Sequence, residues 1–400
     1  MFAGLRDRAA HKRDLRRAQG LRVTGDQFVA KAQWAPAEQA FREAVELRCA
    51  RLGAQDPLSL EARGRRAAVL VRLGRREEAA AELRELVALC PDVLGQEHPV
   101  TGKVRIDLAA LLLARNDPDG AAELALAVLR HRPAPDKLGL LAWDIKVRAR
   151  GAQGRHREAA DEGAALRSAC AQVFGQDSVR TLKAGSDRAQ SLVFLGEYGL
   201  AERECRELLD RHSSVDLLWL AVMNALVRAL DGQGRHDGAQ AAARAAITQQ
   251  AQVTQPSGDV LITLQLGLAR SLTAVGRHQE ALQAVDRARA EFRRTPDARA
   301  GLAAPIATVA AQALLGGQRP QEAEVESRQA VELAEAHYAP IHYCALEATT
   351  ALACAIAAAG RRTEAEQHLA RCAAAWREHF GPHHPRTLAT ETELAALRRS

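Results

Sequence analysis

Aromatic residues make up only 4% of this 400-residue chain. A core of large rings is therefore excluded, and alanine and leucine must fill the interior. β-Branched clusters bounded by turn residues are scarce, which argues against strands. No apolar run approaches the ~18 residues of a membrane-spanning helix, so membrane insertion is not expected. The seven cysteines are odd in number and none stands as C-x-x-C. That pattern points to free thiols in a reducing, cytoplasmic compartment, and away from a disulfide framework or a zinc site. Met1-Phe2-Ala3-Gly4 runs straight into charges, with no apolar segment of signal-peptide length.

Charge of one sign is also missing from most of the chain. The net charge is +6, yet residues 1–24 alone hold seven basic residues against Asp7 and Asp14. The remainder is close to neutral and carries no field that would gather a polyanion, so nucleic acid is not the leading partner. Leu15, Ala18 and Leu21 fall at three-residue spacing. The basic stretch thus reads as a lead-in, 1–13, running into an amphipathic helix that caps the rest of the chain. A polyanion or membrane-surface contact is the alternative reading of the same charges.

What is present in abundance is repetition. Gly-Arg-x-x-Glu-Ala stands at Gly74–Ala79, Gly154–Ala159, Gly276–Ala281 and Gly360–Ala365. Taking the residue five before the recurrent alanine as a marker, the series is Ala32, Gly74, Asn116, Gly154, Gly196, Gly234, Gly276, Gln318 and Gly360. The steps are 42, 42, 38, 42, 38, 42, 42 and 42 residues. A period in this range means a solenoid or array whose units pack on their neighbours.

Residues 57–92 show what one unit is. Leu60, Ala67, Leu70 and Val71 give one helical stripe, and Gly74 closes it, because glycine takes the left-handed conformation without a steric penalty. Ala79, Leu83, Leu86 and Val87 give a second stripe. Glu77 and Glu78 meet the positive end of that helix's dipole. Neither helix can bury its face alone. The two short steps lack about one helical turn each. The regions around Pro133-Ala134-Pro135 and Ser213-Ser214 are expected to absorb them.

These residues carry a resemblance to the tetratricopeptide repeat. The small residue seven before the marker (Gly25, Ala67, Ala109, Ala189, Ala269, Ala311, Ala353), the alanine five after it, and the small or aliphatic residue twelve after it fit the family pattern. The step of 42 and the linker Leu94-Gly95-Gln96-Glu97-His98-Pro99-Val100-Thr101 resemble the kinesin-light-chain-like subclass found in bacterial proteins. The linker recurs at 52–59, 174–181 and 380–387. Its proline suits an early helical position, and its Ser or Thr is expected to cap the next helix. The paired asparagines that the subclass carries nine and ten before the marker are absent. The resemblance implies an all-α, right-handed α-α superhelix of about nine hairpins over 14–400, with a C-terminal capping helix from Thr387 to Arg399.

No motif for chemistry survives. Gly102-Lys103-Val104 lacks the spacing of a phosphate loop. Gly232-Gln233-Gly234 has Asp237 where a dinucleotide loop needs its third glycine, and a helix precedes it. His379, His383 and His384 are interrupted by Gly381 and Pro382, so they read as linker and not as metal ligands. No enzyme, cofactor or metal is expected.

Function is sought on the inner face. Family geometry implies that residues 13, 10 and 6 before each marker point into the concave groove. Lys103, Asp144, Arg148, Lys183, Asn224, Arg228 and Arg270 occupy such positions, and Asp107 and Asp187 lie one residue beside that line. Arginine can clamp a carboxylate through two parallel hydrogen bonds. These residues make a candidate groove for a protein or peptide with acidic groups; the competing reading is a solvated, salt-bridged face. A non-enzymatic binding scaffold leads. A sensor arm that changes shape on binding a signalling peptide, or an enzyme regulator or assembly factor, are the alternatives.

Overall fold

The computed structural model describes residues 2–132, 136–250, 253, 257–295 and 300–399. Pro133, Ala134 and Pro135, expected to absorb a short step, lie outside them. The helices run in order: α1 (Phe2–Ala30), α2 (Trp34–Leu52), α3 (Pro57–Arg72), α4 (Arg76–Leu94), α5 (Pro99–Ala114), α6 (Pro118–Leu129), α7 (Lys137–Ala152), α8 (His156–Phe174), α9 (Val179–Phe194) and α10 (Tyr198–Arg211). They continue as α11 (Leu217–Gly232), α12 (His236–Gln250), α13 (Gly258–Ala274), α14 (His278–Arg294), α15 (Ala303–Gly316), α16 (Pro320–His337), α17 (Tyr343–Ala358), α18 (Arg362–Phe380) and α19 (Pro385–Arg399). Among the described residues there is no strand, and a single 3-10 turn, Ala300–Leu302, precedes α15. The chain divides into two compact units, Met1–Ala149 and Arg150–Ser400. Helix α1 runs unbroken across the boundary expected at residue 13.

Every marker is a left-handed residue. The φ angles are 76° at Gly74, 82° at Gly154, 74° at Gly196, 73° at Gly234, 79° at Gly276 and 85° at Gly360. Where glycine is replaced the backbone does not change: Ala32, Asn116 and Gln318 sit at 54°, 62° and 57°. The turn is a helix-ending motif in which the amide after the marker reaches back to a carbonyl of the last turn, as Arg75 does to Leu70 at 3.0 Å. The motif's arginine then pairs with its glutamate three residues on, as in Arg155–Glu158, Arg277–Glu280 and Arg319–Glu322.

The alanine five after the marker is the contact between helices. Ala37, Ala79, Ala121, Ala201, Ala239, Ala281, Ala323 and Ala365 are fully buried, and Ala159 nearly so. The small residue seven before the marker faces it, and in the first hairpin only glycine fits. A Cβ on Gly25 would lie 2.6 Å from the Phe41 ring. The short steps come out of the second helix of the pair. Helices α6 and α10 have 12 and 14 residues, against 19 in α2, α4, α8 and α18.

The linker works differently from its expected capping. The residue before the proline position is the cap: Asp56 accepts from the Leu58 amide, His98 Nδ1 from Val100, and Ser178 from Thr181. Thr101, Thr181 and Thr387 instead donate back to the carbonyls of Gly95, Gly175 and Gly381, at 2.8, 2.8 and 2.9 Å. The threonine ties the linker into a closed loop, and the histidine or acid starts the helix. Among the described residues no cysteine stands in a disulfide, and burial pushes the thiols of Cys205 and Cys354 up to about 12. Among the described residues no helix is long and apolar enough to cross a membrane.

Candidate functional site

Helices α9, α11, α13, α15 and α17 are the first members of their pairs, and each packs on the next in the second unit, apart from α19 at its end. The inner faces of α11, α13, α15 and α17, with α18 and α19, line a half-open cavity of about 350 Å³. Its walls come from Asp231 on α11, Arg270 on α13, Gln312 on α15, Glu347, Thr350 and Cys354 on α17, Trp376 on α18, and Arg386 and Ala389 on α19.

An ion cluster forms the floor of this chamber. Arg270 donates two parallel hydrogen bonds to Glu347, both at 2.8 Å, across 77 residues of sequence. Arg386 donates to the same carboxylate and to the Tyr343 hydroxyl. The Glu347 side chain is 4% exposed. Burial alone would raise its carboxyl; the charges of Arg270 and Arg386 outweigh burial and hold it down to about 2. Glu347 in turn raises the Arg270 guanidinium against its own burial. Such a pair costs much in desolvation and is destabilising to break from one side, because the remaining charge has nowhere to go.

Above the floor the two ends of the second unit meet. His156, at the start of α8, stacks on Phe194 with centroids 4.3 Å apart and stands 6.2 Å from His342 and 6.4 Å from Phe380. His384 lies between Trp376, on which it stacks, and the Phe194 carbonyl 3.1 Å from its Nε2. Gly196 permits the approach: a Cβ there would lie 2.4 Å from Cδ of Pro385. Phe194 also carries Arg228, whose guanidinium carbon is 4.2 Å from the ring centroid.

The nine residues chosen from the sequence fall into two groups. In the first unit, Lys103 pairs with Asp107, and Arg148 lies 3.7 Å from Asp144. The Asp107 carboxyl is raised by burial despite Lys103, and its second oxygen is buried without a partner among the described residues. In the second unit, Lys183 pairs with Asp187 at 2.6 Å, one turn apart on α9. Asn224 Oδ1 is buried without a partner among the described residues. Arg228 rests on Phe194, and Arg270 is held by Glu347. Arg270 alone of the nine lines the chamber.

Glu347, Thr350 and Cys354 stand 13, 10 and 6 residues before Gly360, on the same groove line that picks out Arg270 before Gly276. Extending that line to the last hairpin locates the counter-charge. Arg386 has no such signal, since it belongs to the closing helix.

The tetratricopeptide repeat family model matches residues 59–100 and 346–386. No curated protein matches the sequence. Among solved structures, a Rap protein complexed with Competence and Sporulation Factor is 10% identical, with a TM-score of 0.58 over 85% of this chain and 98% of that one. Nearly identical TPR-like repeats of a Podosopora anserina kinesin light chain are 18% identical, with a TM-score of 0.43 over 49% of this chain and 94% of that one. Two stretches of the chain thus match the tetratricopeptide repeat, and its marker turns, buried alanines and helix pairs follow one plan throughout.

Proposed function

We propose that this protein is a non-enzymatic, cytoplasmic binding scaffold that holds a segment of a partner protein in the inner chamber of residues 150–400. The observation that carries this reading is the charge balance around Glu347 on the chamber floor, to which Arg228 adds from outside the lining residues. Three guanidiniums, those of Arg228, Arg270 and Arg386, act on the one Glu347 carboxylate. Among the described residues, the partner of Arg228 is an aromatic ring. Of the wall's other acids, Asp231 is engaged by Ser271 and His236, and Glu393 stands on α19. A partner segment bearing a carboxylate would complete Arg228 with charge-assisted hydrogen bonds. The Rap structure, a binding complex by its name, is of like fold, which supports a binding role for the architecture and not its ligand.

A displayed random-peptide library selected against the purified chain tests this. Acid-bearing peptides should be enriched and should lose at least about tenfold in affinity when Ala389→Trp fills the chamber, since lost contacts and lost volume both act there. Arg228→Ala should abolish the acid preference while leaving the helical fold. Enriched peptides that bind the Ala389→Trp protein unchanged would move the site elsewhere, to the inner face carrying Lys103 and Arg148. An acid preference that survives Arg228→Ala would remove Arg228 from the site.

A further inference from the structure

His156 is an expensive residue in its place. It is 4% exposed, and among the described residues neither ring nitrogen has a hydrogen-bond partner. A neutral imidazole always carries one N–H, and burying it unpaired is unfavourable. Tyr198 occupies the corresponding position two residues after the next marker, so the repeat accepts an aromatic ring there at no such cost.

Two more buried histidines close the same junction. His342 is 6% exposed and stacks on Tyr338 at 4.3 Å; His384 is 4% exposed. The Nδ1 of each accepts the amide that starts the following helix, from Cys344 and from Arg386, both at 3.1 Å. That fixes the proton on Nε2, and adding a second proton at Nδ1 destroys the cap. The three rings join α8 and α9, at one end of the unit, to the linkers before α17 and α19 at the other. A Cβ at Gly154 would stand 3.6 Å from the His342 backbone, so the contact is direct.

We propose that His156, His342 and His384 form a proton-operated clasp that holds the second unit closed when neutral and releases it on mild acidification. This stands independently of what the chamber binds.

The groups facing the histidines all disfavour a second proton or are silent, except at His384. His156 meets Arg228 from α11, His342 and His384 from the two linkers, and the uncharged rings of Phe194 and Phe380. No carboxylate is among the groups acting on His156 or His342. Burial lowers His384 against the Phe194 carbonyl and Glu347, which favour its charge, and Arg386 adds to burial. Burial holds His156 near 3, with His342 and Arg228 adding to the effect, and holds His342 near 4.

The sign follows from linkage. In the closed state His156 and His342 bind a second proton only below about pH 3 to 4, whereas released histidines bind one from about pH 6.5 downward. Closure is therefore strongest above about pH 6.5 and weakens roughly tenfold per pH unit per histidine below it. At about pH 5.5, His156 and His342 together weaken closure about 100-fold. Glu347, held near 2, stays ionised through this window, so the chamber floor does not titrate with the clasp.

Hydrogen exchange of the full-length chain, read by mass spectrometry and corrected for intrinsic pH dependence, tests the clasp. Between about pH 7.5 and about pH 5.5, amides of 154–160, 192–198 and 381–388 should lose about 100-fold in protection, while those of α14 hold theirs. A His156→Phe, His342→Asn double variant keeps the ring stack and the cap acceptor, and should reduce the loss to less than about tenfold. Unchanged protection at the lower pH, or an equal loss in the double variant, overturns the proposal. Should that variant not fold, imidazole NMR of the native chain decides. Two buried histidines still neutral at about pH 5 support the clasp, and titration of all three near the ordinary 6.5 sinks it.

Discussion

The inner charges of the two units are the same kinds of residue put to different uses. In the first unit, Lys103–Asp107 and Asp144–Arg148 pair one turn apart on a single helix. In the second, Lys183–Asp187 does the same, but Arg270 and Arg386 reach Glu347 across 77 and 39 residues. A pair within one turn ties a helix to itself and is worth little. A buried pair between distant hairpins ties the ends of an array together. Like-looking arginines, six before their markers, thus divide into a solvated Arg148 and a structural Arg270.

The largest expected difference comes from breaking one pair of each kind. Glu347→Ala should destabilise the second unit by about 3–5 kcal/mol, since two guanidiniums are left facing each other. Arg148→Ala should cost less than about 0.5 kcal/mol, because its partner is distant and both are partly solvated. Chemical denaturation with exchange protection in α17 and α7 as the local readout checks both. Similar losses at the two sites would erase the distinction.

Acid titration separates the same pair by another route. Glu347 has a depressed carboxyl, so its contribution is fully present above about pH 4.5 and lost as pH falls towards about 2. The fall amounts to about 3 kcal/mol in the second unit. Glu347→Gln should flatten that part of the pH profile, and Arg148→Ala should leave it unchanged.

A smaller effect sharpens the role of the closing contact. Gly196→Ala and Gly234→Ala both force a side chain into a left-handed turn, at about 1 kcal/mol each. Only at Gly196 does the new Cβ also meet Pro385; Gly234 faces open space. Gly196→Ala should therefore be the worse of the two by thermal melting, and only it should loosen exchange at 381–388. The smallest effect is a gain: Gln318→Gly removes left-handed strain at 57° and should stabilise its turn by about 0.5–1 kcal/mol.

The local architecture was largely legible. The nine markers located nine left-handed turns, but the conformation itself was expected from glycine, and Ala32, Asn116 and Gln318 adopt it without one, because the spacing to a buried alanine leaves the backbone no other way round. The capping was read less well. A threonine after the proline looks like a cap, but its hydroxyl closes the linker, and His98, Ser178 or Asp56 does the capping. The site was legible in part. The groove line found Arg270 and would reach Glu347, yet a period along the chain cannot tell that the two meet. That contact depends on how far successive hairpins turn, which small shifts at each Ala–Ala contact add up to decide. The role of His156 lies in its unpaired ring nitrogens, which its place two residues after a marker does not reveal.

The central claim is that the second unit is held closed by Arg270, Glu347 and Arg386. A double-mutant cycle on Arg270→Met and Glu347→Leu measures it most directly. A coupling energy above about 2 kcal/mol, with the apolar double variant more stable than either single one, is the predicted result. A coupling near zero, with both single variants folded, would show that the two residues do not hold one another and would contradict the account.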